Sequence, residues 1–172
     1  RQMCIRDRII TGSMDKTIRT WDLRNNGKTL SILTNHKKAI RSIAIHPTQY
    51  TFISGAADNI KIWKCPSTDF IRNMNEKPLS IIDTLSINED NILISGHQSG
   101  HIKFWDYLTG YKFQELRLDP QPGSLDSEAG IMGSTFDITG KRLITVESDK
   151  TIKLFKEDLN ACLLYTSDAA DD

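Results

Sequence analysis

The chain has 172 residues, and its 22 Lys and Arg balance 22 Asp and Glu, so its formal net charge is zero. Taken over the whole chain, that balance gives no electrostatic footprint for nonspecific nucleic-acid binding or for an anionic membrane surface, and no apolar run approaches the ~18 residues that span a bilayer. Cys4, Cys65 and Cys162 are too few for a disulfide framework and lack zinc-ligand spacing.

In chain order, the first segment to account for is RQMCIRDR (1–8), and it is explained together with the last, CLLYTSDAADD (162–172). Written as TGT CTC TTA TAC ACA TCT, Cys162 to Ser167 reads on the opposite strand, two bases out of frame, as ATG TGT ATA AGA GAC. That is Met3-Cys4-Ile5-Arg6-Asp7. One DNA word thus encodes both ends in opposite orientations, and both resemble translated sequencing adapter. Residues 1–8 and 162–172 are therefore expected to be scars outside the native chain. The folding segment is then 9–161, still neutral, with Cys65 as its cysteine.

Within that segment four stretches align: ITGSMDKTIRTWD (10–22), ISGAADNIKIWK (53–64), ISGHQSGHIKFWD (94–106) and ITVESDKTIKLFK (144–156). Trp21 and Trp63 are 42 residues apart, as are Trp63 and Trp105, whereas Trp105 to Phe155 is 50. This is the period and pattern of a WD-repeat β-propeller blade. The first unit starts mid-blade at Ile9 and ends in Thr29–Leu33. The second predicts strands at Ile40–Ile45, Tyr50–Ser54, Ile60–Trp63 and Phe70–Met74. The third predicts Ile81–Ile87, Ile92–Ser95, Ile102–Trp105 and Tyr111–Leu116. The fourth predicts Ile131–Phe136, Leu143–Thr145 and Ile152–Phe155. Runs such as Ile92-Leu93-Ile94 suit strands buried on both faces. The expected fold class is all-β, a fragment of about three and a half propeller blades. The blades span 9–34, 35–75, 76–117 and 130–157, with an inserted loop at 118–130.

A Ser or Thr on one strand and a turn residue four places later recur in every unit: Thr11 and Asp15, Ser54 and Asp58, Ser95 and Ser99, Thr145 and Asp149. Ser54, His36 and Asp58 have the residue types of a hydrolase triad, but no nucleophile-elbow motif surrounds Ser54. Its place on an apolar strand suits a buried polar network. His97 and His101 are four apart, the spacing of zinc ligands on a helix, but the Ser-Gly between them marks a strand-turn-strand. Cys65 has no activating base beside it in sequence. No pattern implies catalysis, a cofactor, a metal or a small-molecule substrate.

Four stretches are more specific than the generic repeat: TNHKKAIRSIAIHP (34–47), SGAADNIKIWK (54–64), QPGSLDSEAGI (121–131) and ESDKTIK (147–153). They resemble the pleiotropic-regulator family of spliceosomal WD-repeat proteins, and the likeness covers essentially all of 9–161. The resemblance implies the later blades of a seven-bladed propeller in a nuclear, non-catalytic scaffold. It further implies the NineTeen-related complex of the spliceosome, with core splicing subunits, including a Myb-domain splicing factor, as protein partners. It also implies a buried His-Ser/Thr-Asp-Trp hydrogen-bond chain. The second blade matches it in full with His36, Ser54, Asp58 and Trp63, and the first keeps Thr11, Asp15 and Trp21. The third has Ser99 for the Asp, and the fourth has Phe155 for the Trp.

A propeller binds through its loops. Candidate protein-contact residues are Gln121, Pro122, Gly123, Ser124, Leu125 and Asp126 in the insertion, a loop by its Pro and Gly content. The basic cluster Lys37, Lys38 and Arg41 is a candidate for phosphate or weak RNA contact. Trp21-Asp22-Leu23-Arg24 fits the WDxR pattern by which some WD-repeat proteins dock onto the adaptor of a cullin-RING ubiquitin ligase. Arg24 would be the contact there; a generic WD-repeat scaffold of another nuclear or cytoplasmic complex is the remaining alternative.

Overall fold

The computed structural model describes residues 8–75, 80–125 and 128–157. Among the described residues fourteen strands form four antiparallel sheets whose strand order follows the chain. Blade 1 is β1 (Arg8–Gly12), β2 (Ile18–Asp22) and β3 (Lys28–Leu33); blade 2 is β4 (Ile40–Ile45), β5 (Thr51–Ala56), β6 (Ile60–Lys64) and β7 (Phe70–Asn73). Blade 3 is β8 (Ile82–Ile87), β9 (Ile92–His97), β10 (His101–Asp106) and β11 (Lys112–Arg117); blade 4 is β12 (Ile131–Phe136), β13 (Arg142–Glu147) and β14 (Ile152–Lys156). The all-β propeller fragment read from the repeat is the fold observed.

The repeat extends to its irregularities. Register shifts fall at the first residues of β4, β8 and β12, between Ile40 and Ser42, Ile82 and Thr84, and Ile131 and Gly133. A second series falls beside the blade tryptophans, at Thr20/Trp21, Ile62/Trp63 and Phe104/Trp105. An extra residue on one strand raises the local right-handed twist, so each blade is twisted at matching places.

The core lies between blades. Ile18, Ile40, Phe52, Ala56, Trp63 and Cys65 fill the space between blades 1 and 2. Ile53, Ile60, Ile62, Met74, Ile82, Leu85, Leu93 and Trp105 pack between blades 2 and 3. Ile94, Ile102, Leu118, Ile131 and Leu143 pack between blades 3 and 4. Consecutive residues such as Phe52 and Ile53, or Leu93 and Ile94, serve opposite cores while each is 0% exposed. That arrangement is why the strands read as apolar runs and not as alternation.

The central strands β5 and β9 continue past Ser54 and Ser95, where the sequence reading ended them. The reason is a close approach at the glycine that follows. A Cβ on Gly55 would lie 2.8 Å from Leu85 Cδ1 and 3.1 Å from Ile82 Cγ2; one on Gly96 would lie 2.5 Å from Thr84 Cγ2 and 2.8 Å from Ile131 Cγ2. Gly12 receives Ile40 in the same way, at 2.7 Å. The first residue of each inner strand, Ile40, Ile82 or Ile131, is therefore seated over a glycine of the preceding blade. The fourth blade has Val146 at this position, 44% exposed. At the other end of β5, Tyr50 belongs to the turn, with its carbonyl accepting the Cys65 N–H at 2.8 Å. Arg8, expected to be scar, is the first residue of β1, opposite Asp22, and donates to the Pro66 carbonyl at 3.0 Å. Residues 1–7 and 162–172 lie outside the described residues.

Candidate functional site

In blade 2 the loop before β4, the strand β5, the β5–β6 turn and the strand β6 bring His36, Ser54, Asp58 and Trp63 together. Trp63 Nε1 donates to Ser54 Oγ at 2.8 Å, Ser54 Oγ lies 2.7 Å from His36 Nε2, and His36 Nδ1 lies 3.0 Å from Asp58 Oδ1. One proton arrangement satisfies all of them: Nδ1–H donates to Asp58, and the Ser54 hydroxyl donates to Nε2. The second Asp58 oxygen accepts the Lys37 N–H at 2.9 Å. Burial lowers the His36 pKa against the pull of Asp58, so the imidazole is neutral at pH 7. Burial raises the Asp58 pKa, but the Lys37 N–H and His36 outweigh it and hold the carboxyl below its usual value. Ser54 is 0% exposed and its oxygen is already engaged, so this triad-like set has no open path to a substrate.

The other blades solve the same polar problem differently. In blade 1, Trp21 Nε1 donates to Thr11 Oγ1 at 2.9 Å, while Asp15 turns to the Thr17 N–H at 2.9 Å and to Arg19 at 2.9 Å. Asp15 is therefore separate from the Thr11–Trp21 pair.

In blade 3, Trp105 Nε1 donates to Ser95 Oγ at 2.9 Å, and His97 sits beside it, Nε2 3.0 Å from Ser95 Oγ. Its Nδ1 is 3.2 Å from Ser80 Oγ, which is 2.9 Å from Ser99 Oγ. His97, which the sequence reading considers only for its spacing to His101, thus supplies the imidazole of this blade. Burial first, and the Lys103 charge second, lower its pKa to about 4. His101 points elsewhere, with Nδ1 3.0 Å from Glu115.

In blade 4, Thr145 Oγ1 approaches Glu147 Oε1 at 3.5 Å, and the buried Glu147 pairs with Lys153 at 2.7 Å. His97 and Glu147 occupy one strand position, two residues after the hydroxyl, where blade 2 has Ala56.

The insertion is fastened to blade 4. Asp149 Oδ2 accepts the Gln121 N–H at 2.9 Å, as Asp58 accepts that of Lys37. Lys153 Nζ donates to the Asp119 carbonyl at 2.9 Å, and Ser148 Oγ to that of Glu128 at 2.7 Å. Leu118 and Ala129 are buried at its two ends. Between them Gln121, Pro122 and Gly123 are exposed, Ser124 is half-buried, and Leu125 is 69% exposed. Asp126 lies outside the described residues. Arg24 is exposed in the β2–β3 turn, where its N–H donates to Asp22 Oδ1 at 3.0 Å. Lys37 and Lys38 are exposed, but Arg41 pairs with Asp83 of blade 3 at 2.8 Å. Among the described residues no group of His, Cys, Asp and Glu is arranged to hold a metal ion.

The family model for the WD domain, G-beta repeat, matches residues 4–22 and 27–64. Pleiotropic regulator PRL2 of Arabidopsis thaliana is 47% identical over 135 residues, which is 78% of this chain and 28% of that protein. Pre-mRNA-splicing factor PRP46 of Candida glabrata is 41% identical over 135 residues, 78% of this chain and 32% of that protein. Pleiotropic regulator 1 of Homo sapiens is 52% identical over 117 residues, 68% and 23% of the two chains. The chain spans 23–32% of the length of these relatives. With its repeat geometry, this places it plainly: the chain belongs to the pleiotropic-regulator family of WD-repeat proteins.

Proposed function

We propose that this segment is part of a nuclear, non-catalytic protein-interaction scaffold for pre-mRNA splicing that works within the NineTeen-related complex of the spliceosome. The names of its relatives, pleiotropic regulators and pre-mRNA-splicing factors, support the splicing context. The observation that carries the scaffold reading is the insertion. Its backbone is held by Asp149, Ser148 and Lys153, and its tip, Gln121 to Leu125, faces solvent with a leucine 69% exposed. A pre-ordered loop loses little conformational entropy on binding, so its surface is suited to docking a protein. A core spliceosomal subunit, such as the Myb-domain splicing factor, is the partner class.

The experiment is affinity purification of the tagged full-length protein, with Gln121–Leu125 replaced by Gly and Ser in a parallel copy. Recovery of spliceosomal proteins by the parent, with loss of a subset by the loop variant, is expected. Full retention by the loop variant would remove the insertion from the reading. The alternative is a cullin-RING substrate receptor, favoured only by the exposure of Arg24 behind Trp21-Asp22. Recovery of a cullin and its adaptor, lost on Arg24→Ala, would establish that role instead.

A further inference from the structure

We infer that Lys16, Lys37 and Lys38 form one contact surface for the phosphate backbone of single-stranded RNA. It lies at the junction of blades 1 and 2 and acts without reading sequence. Lys16 is in the β1–β2 turn, and Lys37 and Lys38 are in the loop before β4. The two segments meet: the Ile40 N–H donates to the Ser13 carbonyl at 3.2 Å, and Ile40 packs over Gly12. All three lysines are exposed.

Both segments are fixed before any ligand arrives. The Lys16 N–H donates to the Ser13 carbonyl at 3.2 Å within a turn that Asp15 closes on Thr17, and the Lys37 N–H is held by Asp58 at 2.9 Å. The nearby acids are already committed, Asp15 to Arg19 and Thr17, Asp58 to His36 and the Lys37 N–H, and Asp83 to Arg41. Those ion pairs also take the two arginines, whose planar forks would suit a carboxylate. What faces solvent is three ammonium groups, and among the described residues none of them is in an ion pair. Lysine serves phosphate as a point charge, without a required plane. No tryptophan, tyrosine or phenylalanine lies in residues 12–17 or 34–39, so bases have no stacking platform there. That favours a backbone contact over base readout. The surface is separate from the insertion and does not depend on it.

The test uses the purified full-length protein and a fluorescein-labelled single-stranded oligouridylate. Three lysine–phosphate contacts on a single strand imply a slope of about −2 in log K against log salt, or roughly twentyfold weaker binding from 50 to 200 mM. Lys16→Gln, Lys37→Gln and Lys38→Gln together should abolish that increment. Lys141→Gln, in the β12–β13 turn at the opposite end of the strands, should leave it in place, and thermal melting reports whether the exposed substitutions preserve the fold. An unchanged salt slope in the triple variant, absence of RNA binding by the parent, or displacement of RNA by polyglutamate at equal charge would each overturn the inference. None of these results bears on recovery of spliceosomal proteins, so the two readings fail separately.

Discussion

Adding one methyl group at Gly96 tests whether the blades are held together by the seating of isoleucine over glycine. The new Cβ would lie 2.5 Å from Thr84 Cγ2 and 2.8 Å from Ile131 Cγ2. Neither neighbour can retreat freely, because Ile131 is 0% exposed and Thr84 Oγ1 is bonded to Ser134 at 2.9 Å. Overpacking of this kind costs about 1–3 kcal/mol. Loss of glycine entropy from the unfolded chain offsets about 0.4–1 kcal/mol of that, leaving Gly96→Ala less stable by up to about 2.5 kcal/mol. Gly133→Ala is the control. Its Cβ would meet only Val146 Cβ, at 3.9 Å, an ordinary contact, so the entropy gain should act alone. Urea unfolding of the full-length protein, followed by tryptophan fluorescence, reads both. Thr84→Ser keeps the hydroxyl and removes the methyl at 2.5 Å, so combined with Gly96→Ala it should recover part of the loss as a positive coupling in a double-mutant cycle. Equal stability of Gly96→Ala and Gly133→Ala, within about 0.5 kcal/mol, would refute the close-approach reasoning.

Ser54→Ala strands two buried partners, His36 Nε2 and Trp63 Nε1, and should cost about 2–4 kcal/mol, whereas Thr11→Ala, beside the half-exposed Trp21, should cost less than about 1 kcal/mol. The same denaturation assay compares them, and equal losses would contradict the assignment. His97 supplies a pH dependence. With a folded pKa of about 4 against 6.5 in the unfolded chain, the unfolded state binds its proton first. Stability is then complete above 6.5 and declines as pH falls toward 4, by about 3 kcal/mol over the whole window. A His97→Asn variant should show a flatter profile between pH 6.5 and 4; an unchanged one would clear His97 of the effect. Asp149→Ala removes a carboxylate hydrogen bond to Gln121, which is about 1.5–3 kcal/mol. Hydrogen exchange at the Gln121 amide should accelerate by about tenfold or more, with faster proteolysis at 121–125, and unaltered exchange would show that the insertion is held by its ends alone.

The blades were legible because their signals are local and repeated: a hydroxyl, a turn residue and a tryptophan at a fixed period, between apolar runs that only double-sided burial explains. Ser54, Asp58 and Trp63 of the blade 2 network stand out for the same reason, whereas His36 joins them only through the family resemblance. What was hidden was compensation across distance. Arg41 reads as part of a basic cluster until the fold sets Asp83 beside it, 42 residues away. The strand-turn-strand that sets His97 and His101 apart is legible in the Ser-Gly between them, but not that His97 turns inward to Ser95 while His101 meets Glu115. The strand ends at Ser54 and Ser95 were placed too early because glycine signals a break, whereas here it marks the point where the next blade comes closest.

One signal in the sequence did carry the compensation. Two residues after the strand hydroxyl, blade 2 has Ala56, and its imidazole arrives from the loop as His36. Blade 3 has His97 at that position. Blade 4 has Glu147 there, with Lys153 as its counterion and with the insertion's Gln121 in the place of Lys37 on the turn aspartate. A buried hydroxyl between blades has to be satisfied, but whether loop or strand does so is open. Where the loop supplies the imidazole, it is bound to the short path that His36 requires. Where the strand supplies the polar partner, the loop is released from that duty and can lengthen, as residues 118–130 do. In the fourth blade Glu147 supplies that polar partner from the strand, and residues 118–130 form the longer loop, in which Leu125 is 69% exposed.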